Sequence, residues 1–327
     1  MTSSGPLSLP PPHVVDDCRG VLQVLSDGTV LRSANTSFLV PVADDGSIEW
    51  KDVPFSPGPD ARCLRLYRPR RAPGTCFPVF FYFHGGGFCI GSRTWPNFHN
   101  YCLRLASDLG AFIVAPDYRL APENRLPAAI DDSVAAIEWL RSGDPWLAES
   151  ADLDRVFISG DSAGGNIAHH IALRFGSPAS RAALAPVRLR GFVLLMPFFG
   201  GSRRTRSEAE CPDDAFLNRD LNDRYWRLSI PAGATLDHPL VNPLGPESLD
   251  LEAAELLPML VVVGERDLLR DRAAEYAATL KGWKKPVELA EFAGQQHGFF
   301  TIDPRSEASD ELMRRIKRFM EENEGYA

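Results

Sequence analysis

Short apolar runs alternate with longer amphipathic segments from Cys63 to the end of the chain. Runs rich in β-branched and aromatic residues predict strands, and segments with apolar residues at helical spacing predict helices between them. The predicted strands are 63–67, 78–83, 112–115, 156–158, 191–196, 259–263 and 287–292, and the predicted helices are 98–109, 128–141, 166–175, 269–280 and 306–322. This alternation predicts an α/β fold, with a mostly parallel central sheet, helices on both faces and ligands at the carboxyl ends of the strands.

Two segments depart from the alternation. Near the amino end, Asp27-Gly28 lies between two apolar runs and predicts a hairpin. We expect residues 1–50 to form an amino-terminal segment, serving either as part of a lid or as a packing extension, and residues 51–327 to form the α/β domain. Residues 198–243 hold paired glycines, a basic cluster and one amphipathic helix predicted over 214–228. This stretch is too long for a connector, so we expect a cap inserted over the strand ends.

Charge and cysteine content narrow the class of protein. The 35 basic and 43 acidic residues give a net charge of −8 without a basic tract, so neither nucleic acid nor an anionic membrane is expected as a partner. The six cysteines form no C-x-x-C pair and predict reduced thiols and no metal site. Neither a signal peptide nor a membrane span is recognisable. The expected location is therefore the cytoplasm, with the nucleus as a further compartment.

The first candidate catalytic motif is Gly160-Asp161-Ser162-Ala163-Gly164. It fits G-x-S-x-G between a predicted strand and a predicted helix, where glycines permit a turn sharp enough to expose one serine. Ser162 is therefore the candidate nucleophile. As an isolated pattern G-x-S-x-G is common in turns, so the assignment depends on finding a base and an acid at neighbouring strand ends.

The base and the acid follow from the last two predicted strands. His297 lies in a glycine-bracketed loop directly after the strand 287–292. Asp267 follows the strand 259–263, with Glu265 and Asp271 as the competing acids; Asp267 could also cap the next helix. The order Ser162, Asp267, His297 is the order expected when a parallel α/β sheet carries such a triad.

A glycine run supplies the remaining component of the predicted site. His84-Gly85-Gly86-Gly87 follows the strand 78–83, and its backbone N–H groups can approach a substrate without obstruction. We predict that the oxyanion of a tetrahedral intermediate is bound by the N–H groups of Gly85, Gly86 and Ala163. His84, Gly87 and Asp161 are predicted supports of this site. No metal and no organic cofactor is needed for such chemistry.

Three motifs together carry a resemblance to a known family. They are His84-Gly-Gly-Gly, Asp117-Tyr-Arg-Leu-Ala-Pro-Glu123 and Gly160-Asp-Ser-Ala-Gly-Gly-Asn166, and they resemble the hormone-sensitive-lipase branch of the α/β-hydrolase fold, in particular its plant carboxylesterases. The stretches 88–100 and 268–276 are similar to the carboxylesterase 15 type, whose relatives hydrolyse strigolactones. The resemblance implies a serine carboxylesterase that inactivates a hormone of this kind.

The same family includes gibberellin receptors, which keep the fold and the serine but lack the catalytic histidine. His297 occupies the position of that histidine, so the receptor function is the weaker alternative. A carboxylesterase would act on a small apolar ester through an acyl-enzyme intermediate. A homodimer is compatible with the sequence but is not indicated by any pattern in it.

Overall fold

The computed structural model describes residues 11–34, 40–58, 61–70 and 74–326. The first strands of the described chain form a small antiparallel sheet. The strands are β1 (Val14–Cys18), β2 (Leu22–Leu25) and β3 (Val30–Arg32), with β2 in the centre. The predicted hairpin at Asp27-Gly28 is confirmed as the β2–β3 connection. β1 was not predicted. It is joined to β2 through Arg19 and Gly20, which both have positive φ angles, of 59° and 67°.

A second sheet of eight strands forms the centre of the described molecule. Its strands are β4 (Ile48–Pro54), β5 (Cys63–Pro69), β6 (Phe77–Phe83), β7 (Phe112–Pro116), β8 (Ala151–Asp161), β9 (Leu189–Leu195), β10 (Met259–Gly264) and β11 (Val287–Phe292). The spatial order is β11-β10-β9-β8-β6-β7-β5-β4. The strands from β11 to β7 are parallel, whereas β5 pairs antiparallel with β7 and β4 antiparallel with β5. The predicted, mostly parallel sheet is therefore confirmed.

The helices cover both faces of this sheet. They are α1 (Pro96–Leu109), α2 (Ala128–Glu138), α3 (Pro145–Ser150), α4 (Ala163–Arg174), α5 (Pro178–Ala182), α6 (Arg206–Ala209), α7 (Arg219–Ser229), α8 (Arg270–Gly282), α9 (Phe299–Ile302) and α10 (Glu307–Asn323). Along β6, Phe81 and Phe83 join one buried cluster with α2, α4 and α8, while Phe80 and Tyr82 join the other with α1 and α10. Successive strand residues point to opposite faces, so one strand contributes to both cores.

The two unusual segments differ in detail from the prediction. Within residues 198–243, the predicted cap, the predicted helix 214–228 is shorter than expected, because α7 begins only at Arg219. The Asn218 side chain accepts a hydrogen bond from the Leu221 N–H at 3.0 Å and caps the helix there. A short helix, α6, precedes it and was not predicted. The division of the chain at residue 50 stays a prediction, and β4 of the large sheet crosses it.

The parallel strands bring distant parts of the chain to one edge of the sheet. β6 ends at Phe83, β8 at Asp161, β10 at Gly264 and β11 at Phe292. Since these strands run in the same direction, the loops that follow them lie at the same edge, where ligands of open α/β sheets bind. The candidate site is built from these four loops.

Candidate active site

Ser162 occupies the sharp turn between β8 and α4. Its φ and ψ angles are 53° and −114°, values that a residue with a side chain rarely adopts. The turn is held by hydrogen bonds, since the Ser162 N–H donates to the Leu195 carbonyl and the Ser162 carbonyl accepts from the Phe198 N–H, both at 2.8 Å. A turn of this kind presents a serine hydroxyl at the end of a strand, as the sequence pattern predicts.

Glycines on either side of Ser162 allow the chains to approach closely. A Cβ atom added to Gly164 would lie 1.9 Å from the carbonyl oxygen of Phe83, the last residue of β6. A Cβ atom on Gly160 would lie 2.3 Å from the backbone of Gly164. The start of α4 is therefore in direct backbone contact with the glycine loop that follows β6, and only glycine fits at both positions.

His297 and Asp267 form a direct side-chain contact. The distance from His297 Nδ1 to Asp267 Oδ2 is 2.8 Å, and both residues are buried. The other carboxylate oxygen of Asp267 accepts a hydrogen bond from the Leu269 N–H at 2.9 Å, which fixes the orientation of the carboxylate. The competing acids have other partners: Glu265 accepts from the Gly294 N–H, and Asp271 pairs with Arg270 and with the Ser207 N–H.

The electrostatic surroundings of His297 favour its charged form. Burial lowers the pKa of the imidazole, but the neighbouring carboxylates, Asp267 first and Asp161 second, together outweigh burial and raise this pKa above its ordinary value of 6.5. A carboxylate at Nδ1 also keeps the one N–H proton of the neutral ring on Nδ1, which leaves Nε2 free to accept a proton. This is the arrangement that a general base next to a serine requires.

The glycine loop 85–87 lies beside the serine. Gly86 and Gly87 line the same pocket as Ser162 and His297, and their φ angles of 117° and 59° suit glycine. Ala163 is the first residue of α4, so its N–H has no partner within the helix. Gly85 instead packs against Asp161, whose Oδ2 would lie 2.4 Å from a Cβ atom at Gly85, and it is not among the residues that line the pocket. Gly86 and Gly87 therefore line the pocket together with Ser162, and Ala163 directly follows Ser162.

Two buried residues support this loop. The ring of His84 stacks on that of Tyr118 with 4.4 Å between centroids, and burial lowers the pKa of His84. Asp161 accepts a hydrogen bond from the Tyr82 hydroxyl at 2.6 Å. Burial raises the pKa of Asp161 to about 6, although the bonds from Tyr82 and Gly85 act in the opposite direction. Asp161 thus connects β6, the glycine loop and the serine turn.

The pocket at this point is small and mostly apolar. Its cavity volume is about 60 Å³, well below the several hundred Å³ typical of ligand sites. Its walls come from α1, the inserted cap and the amino-terminal sheet. The lining residues outside the predicted set are Arg19, Ile90, Trp95, Asn97, Phe98, Phe216, Leu217, Leu221, Tyr225, Gly298 and Thr301.

Sequence reasoning missed the polar members of this lining. Arg19, Asn97 and Thr301 are the three polar side chains that join Ser162, Asp161 and His297 there. Asn97 and Thr301 lie in helices and resemble ordinary helix residues in the sequence. Arg19 precedes a glycine, and an Arg-Gly pair between two apolar runs is a weak turn signal that would have pointed to the β1–β2 connection.

Comparison with known proteins identifies the family. The chain matches the alpha/beta hydrolase fold over residues 80–301 and belongs to this family. It is 39% identical over 269 residues to carboxylesterase 20 of Arabidopsis thaliana, covering 79% of this chain and 80% of that protein. It is 36% identical over 316 residues to the 2-hydroxyisoflavanone dehydratase of Glycyrrhiza echinata, covering 92% of this chain and 94% of that protein.

Solved structures agree with this family. An esterase of Pyrobaculum calidifontis superposes with a TM-score of 0.72 at 29% identity, covering 86% of each chain. The predicted fold is thereby confirmed, and the esterases among the relatives support the predicted enzyme class, a carboxylic ester hydrolase. Among the described residues, no helix combines the length and the apolar character needed to cross a membrane. Location and oligomeric state stay predictions.

Proposed function

We propose that this protein is a serine carboxylesterase in which Ser162, His297 and Asp267 act as nucleophile, general base and orienting acid. The observation that carries the proposal is the 2.8 Å contact between His297 and Asp267 at the edge of the pocket that Ser162 lines. A serine hydroxyl needs a neighbouring base to become nucleophilic, and the base needs a third group to fix its tautomer. These three residues supply the three parts.

In the proposed reaction, Ser162 attacks an ester carbonyl while His297 Nε2 accepts the hydroxyl proton. The Asp267 carboxylate stabilises the resulting imidazolium, and His297 then donates the proton to the leaving alcohol. Water, activated by His297, attacks the acyl-enzyme and releases the acid.

For the oxyanion we propose the N–H groups of Gly86, Gly87 and Ala163. Gly86 and Ala163 agree with the sequence-based choice. Gly87 replaces Gly85 in this proposal, because Gly87 is part of the pocket lining whereas Gly85 packs against Asp161 and is not. Each such donor contributes about 3 kcal/mol of transition-state stabilisation.

The proposed physiological substrate follows from a sequence resemblance and from the size of the pocket. The resemblance of residues 88–100 and 268–276 to strigolactone-hydrolysing carboxylesterases supports a strigolactone-type ester. The small cavity volume of the pocket, about 60 Å³, favours small substrates over large ones. We therefore place short and medium carboxylic esters first and a strigolactone second.

Two other activities occur on this scaffold. A dehydratase is among the relatives, and dehydration needs a base but no covalent serine. A hormone receptor needs neither a catalytic base nor a nucleophilic serine. Ester hydrolysis is favoured here because a buried, paired histidine and a strained serine turn line one pocket.

The test measures hydrolysis of 4-nitrophenyl acetate and of a synthetic strigolactone by the wild type and by Ser162→Ala, with both products identified by mass. We expect turnover by the wild type and loss of at least three orders of magnitude in the variant, with circular dichroism and thermal unfolding unchanged. Residual activity within a few-fold of the wild type would rule out Ser162 as the nucleophile. Binding without turnover by the wild type would favour the receptor function.

A further inference from the structure

Two basic residues, Arg19 and His297, line the pocket in the described part of the chain. Arg19 is the one that is charged at every pH of interest. It lies at the tip of the β1–β2 hairpin, where Arg19 and Gly20 both have positive φ angles and the Val21 N–H donates to the Cys18 carbonyl at 3.1 Å. Such turns favour asparagine, aspartate or glycine at both central positions. An arginine with φ of 59° is strained, and the strain is retained where the surroundings hold the residue in place.

The surroundings of Arg19 hold its guanidinium at the mouth of the pocket. The guanidinium carbon lies 4.2 Å from the centre of the Phe216 ring, and Nη2 donates to the Phe216 carbonyl. Phe216 belongs to the inserted cap and also lines the pocket. The contact between a cation and an aromatic face fixes the direction of the fork without neutralising its charge.

The hairpin that carries Arg19 is itself firmly attached. On one side, Arg32 of β3 donates to the carbonyls of Cys89 and Ala121 and pairs with Glu123. On the other side, Asp16 of β1 pairs with Arg224 and Arg227 of α7. The tip of the hairpin is therefore positioned relative to both the glycine loop and the cap.

Arg19 differs from these neighbouring arginines in its partners. Arg32, Arg224 and Arg227 each pair with a carboxylate. In the described part of the chain, no carboxylate oxygen lies within 4.0 Å of the Arg19 guanidinium. An oriented guanidinium without a counter-ion, at a pocket lined mainly by apolar side chains, is a site for a carboxylate or another anionic acceptor.

We propose that Arg19 is a specificity residue and that the preferred substrates are esters with an apolar body that ends in an anionic group, most simply a carboxylate. The inference rests on the proposed esterase function, because it describes the substrate of that same site. The ester carbonyl would lie at Ser162 and the apolar body against Leu221 and Tyr225. The anionic end would reach the mouth, where Arg19 donates two hydrogen bonds to it.

Two pairs of esters test this proposal, each pair differing in one carboxylate. The first pair is 4-nitrophenyl hexanoate and mono-4-nitrophenyl adipate, which places the carboxylate in the acid part. The second pair is methyl 4-acetoxybenzoate and 4-acetoxybenzoate, which places it in the alcohol part, with acetyl release as the readout. For at least one pair, Arg19→Gln should lower the ratio of kcat/KM for the anionic ester to that for the neutral ester about tenfold or more.

Two further variants separate recognition from general charge effects. Arg19→Lys keeps the charge but not the fork and should restore part of the ratio. Arg188, the residue directly before β9, is an exposed arginine that pairs with Asp154. Arg188→Gln should leave the ratio of kcat/KM for the anionic and neutral esters unchanged. The proposal is overturned if Arg19→Gln changes the ratio less than threefold for both pairs, or if Arg188→Gln has an equal effect.

Binding to the Ser162→Ala protein tests the inference without turnover. The ligands are the amide counterparts of the esters: adipic acid monoanilide with hexananilide, and 4-acetamidobenzoate with its methyl ester. We expect the added Arg19→Gln change to weaken binding of an anionic amide about tenfold by calorimetry, and binding unaffected by Arg19 would refute the inference. If the wild type hydrolyses no ester while this dependence is found, the esterase proposal fails and the anion site stands.

Discussion

Replacing Asp267 by asparagine tests the proposed triad most directly, because the structure defines what each atom of the new side chain would do. The Asp267 carboxylate has one oxygen on the Leu269 N–H and the other on His297 Nδ1, at 2.9 and 2.8 Å. An asparagine has the same shape and can keep its oxygen on Leu269. Its NH₂ group then faces His297 Nδ1 and can only donate there.

This donor forces the wrong tautomer on the imidazole. With Nδ1 accepting a hydrogen bond, the ring proton moves to Nε2, the atom that must accept the proton of Ser162. The variant also loses the negative charge that stabilises the imidazolium. In a serine protease the corresponding change lowers kcat about 10⁴-fold, which corresponds to about 5 kcal/mol of barrier. We expect a loss of 10³- to 10⁴-fold here, with little change in KM.

The assay is steady-state hydrolysis of 4-nitrophenyl acetate between pH 5 and 9, with folding monitored by thermal unfolding. Glu265→Gln is the matched control, because Glu265 also follows β10 but bonds to the Gly294 N–H rather than to His297. This control should lose less than tenfold. A loss below tenfold in Asp267→Asn, or a larger loss in Glu265→Gln, would refute the assignment of the orienting acid.

Three further predictions follow from the site. The raised pKa of His297 requires that kcat/KM of the wild type fall to half its plateau at a pH above 6.5 as the pH is lowered; a midpoint below 6.5 would contradict this. Asp161→Asn should raise the free energy of unfolding by at most about 3 kcal/mol at pH 8 and by less than about 1 kcal/mol near pH 4. The reason is that the pKa of Asp161 is about 6 in the folded protein and about 3.8 in the unfolded chain, so ionisation of this carboxyl destabilises the fold as the pH rises through this interval. Urea unfolding of the wild type and the variant at pH 4 and pH 8 measures the change in free energy. An equal change at both pH values would refute the prediction. Gly164→Ala should lower kcat by at least tenfold or prevent folding, since its methyl group would meet the Phe83 carbonyl at 1.9 Å; a variant with normal stability and activity would contradict the close contact.

The positions of the candidate triad could be predicted because one geometric rule governs them. Parallel strands end at one edge of the sheet, so a serine after β8, an acid after β10 and a histidine after β11 are brought near each other whatever the helices between them do. The choice between Asp267, Glu265 and Asp271 was harder. It depends on the direction of each side chain in a tight turn, and the structure gives the His297 contact to Asp267.

The choice among the glycines could not be made from the sequence. Gly85, Gly86 and Gly87 are equally permissive, and which N–H groups face the pocket depends on how the loop turns over Ile90 and Tyr225. The helix predicted over 214–228 begins too early for a similar reason, since α7 begins at Arg219. The apolar spacing continues before Arg219, but Asn218 provides a capping side chain that competes with the helix.

The amino-terminal sheet shows most clearly what a local reading of the sequence omits. Its second hairpin was predicted from Asp27-Gly28, yet the consequence for the site comes from the first hairpin, whose tip carries Arg19. That residue reaches the pocket through contacts to a cap segment almost two hundred positions away in the chain. The proposed catalytic residues therefore follow strands of the regular sheet, whereas the shape and charge of the pocket mouth come from two segments outside it. We expect relatives with the same strand-end loops to differ in substrate choice because of those two segments. Exchanging residues 14–32 between this chain and a relative should therefore alter the preference for charged esters and leave the proposed triad chemistry intact.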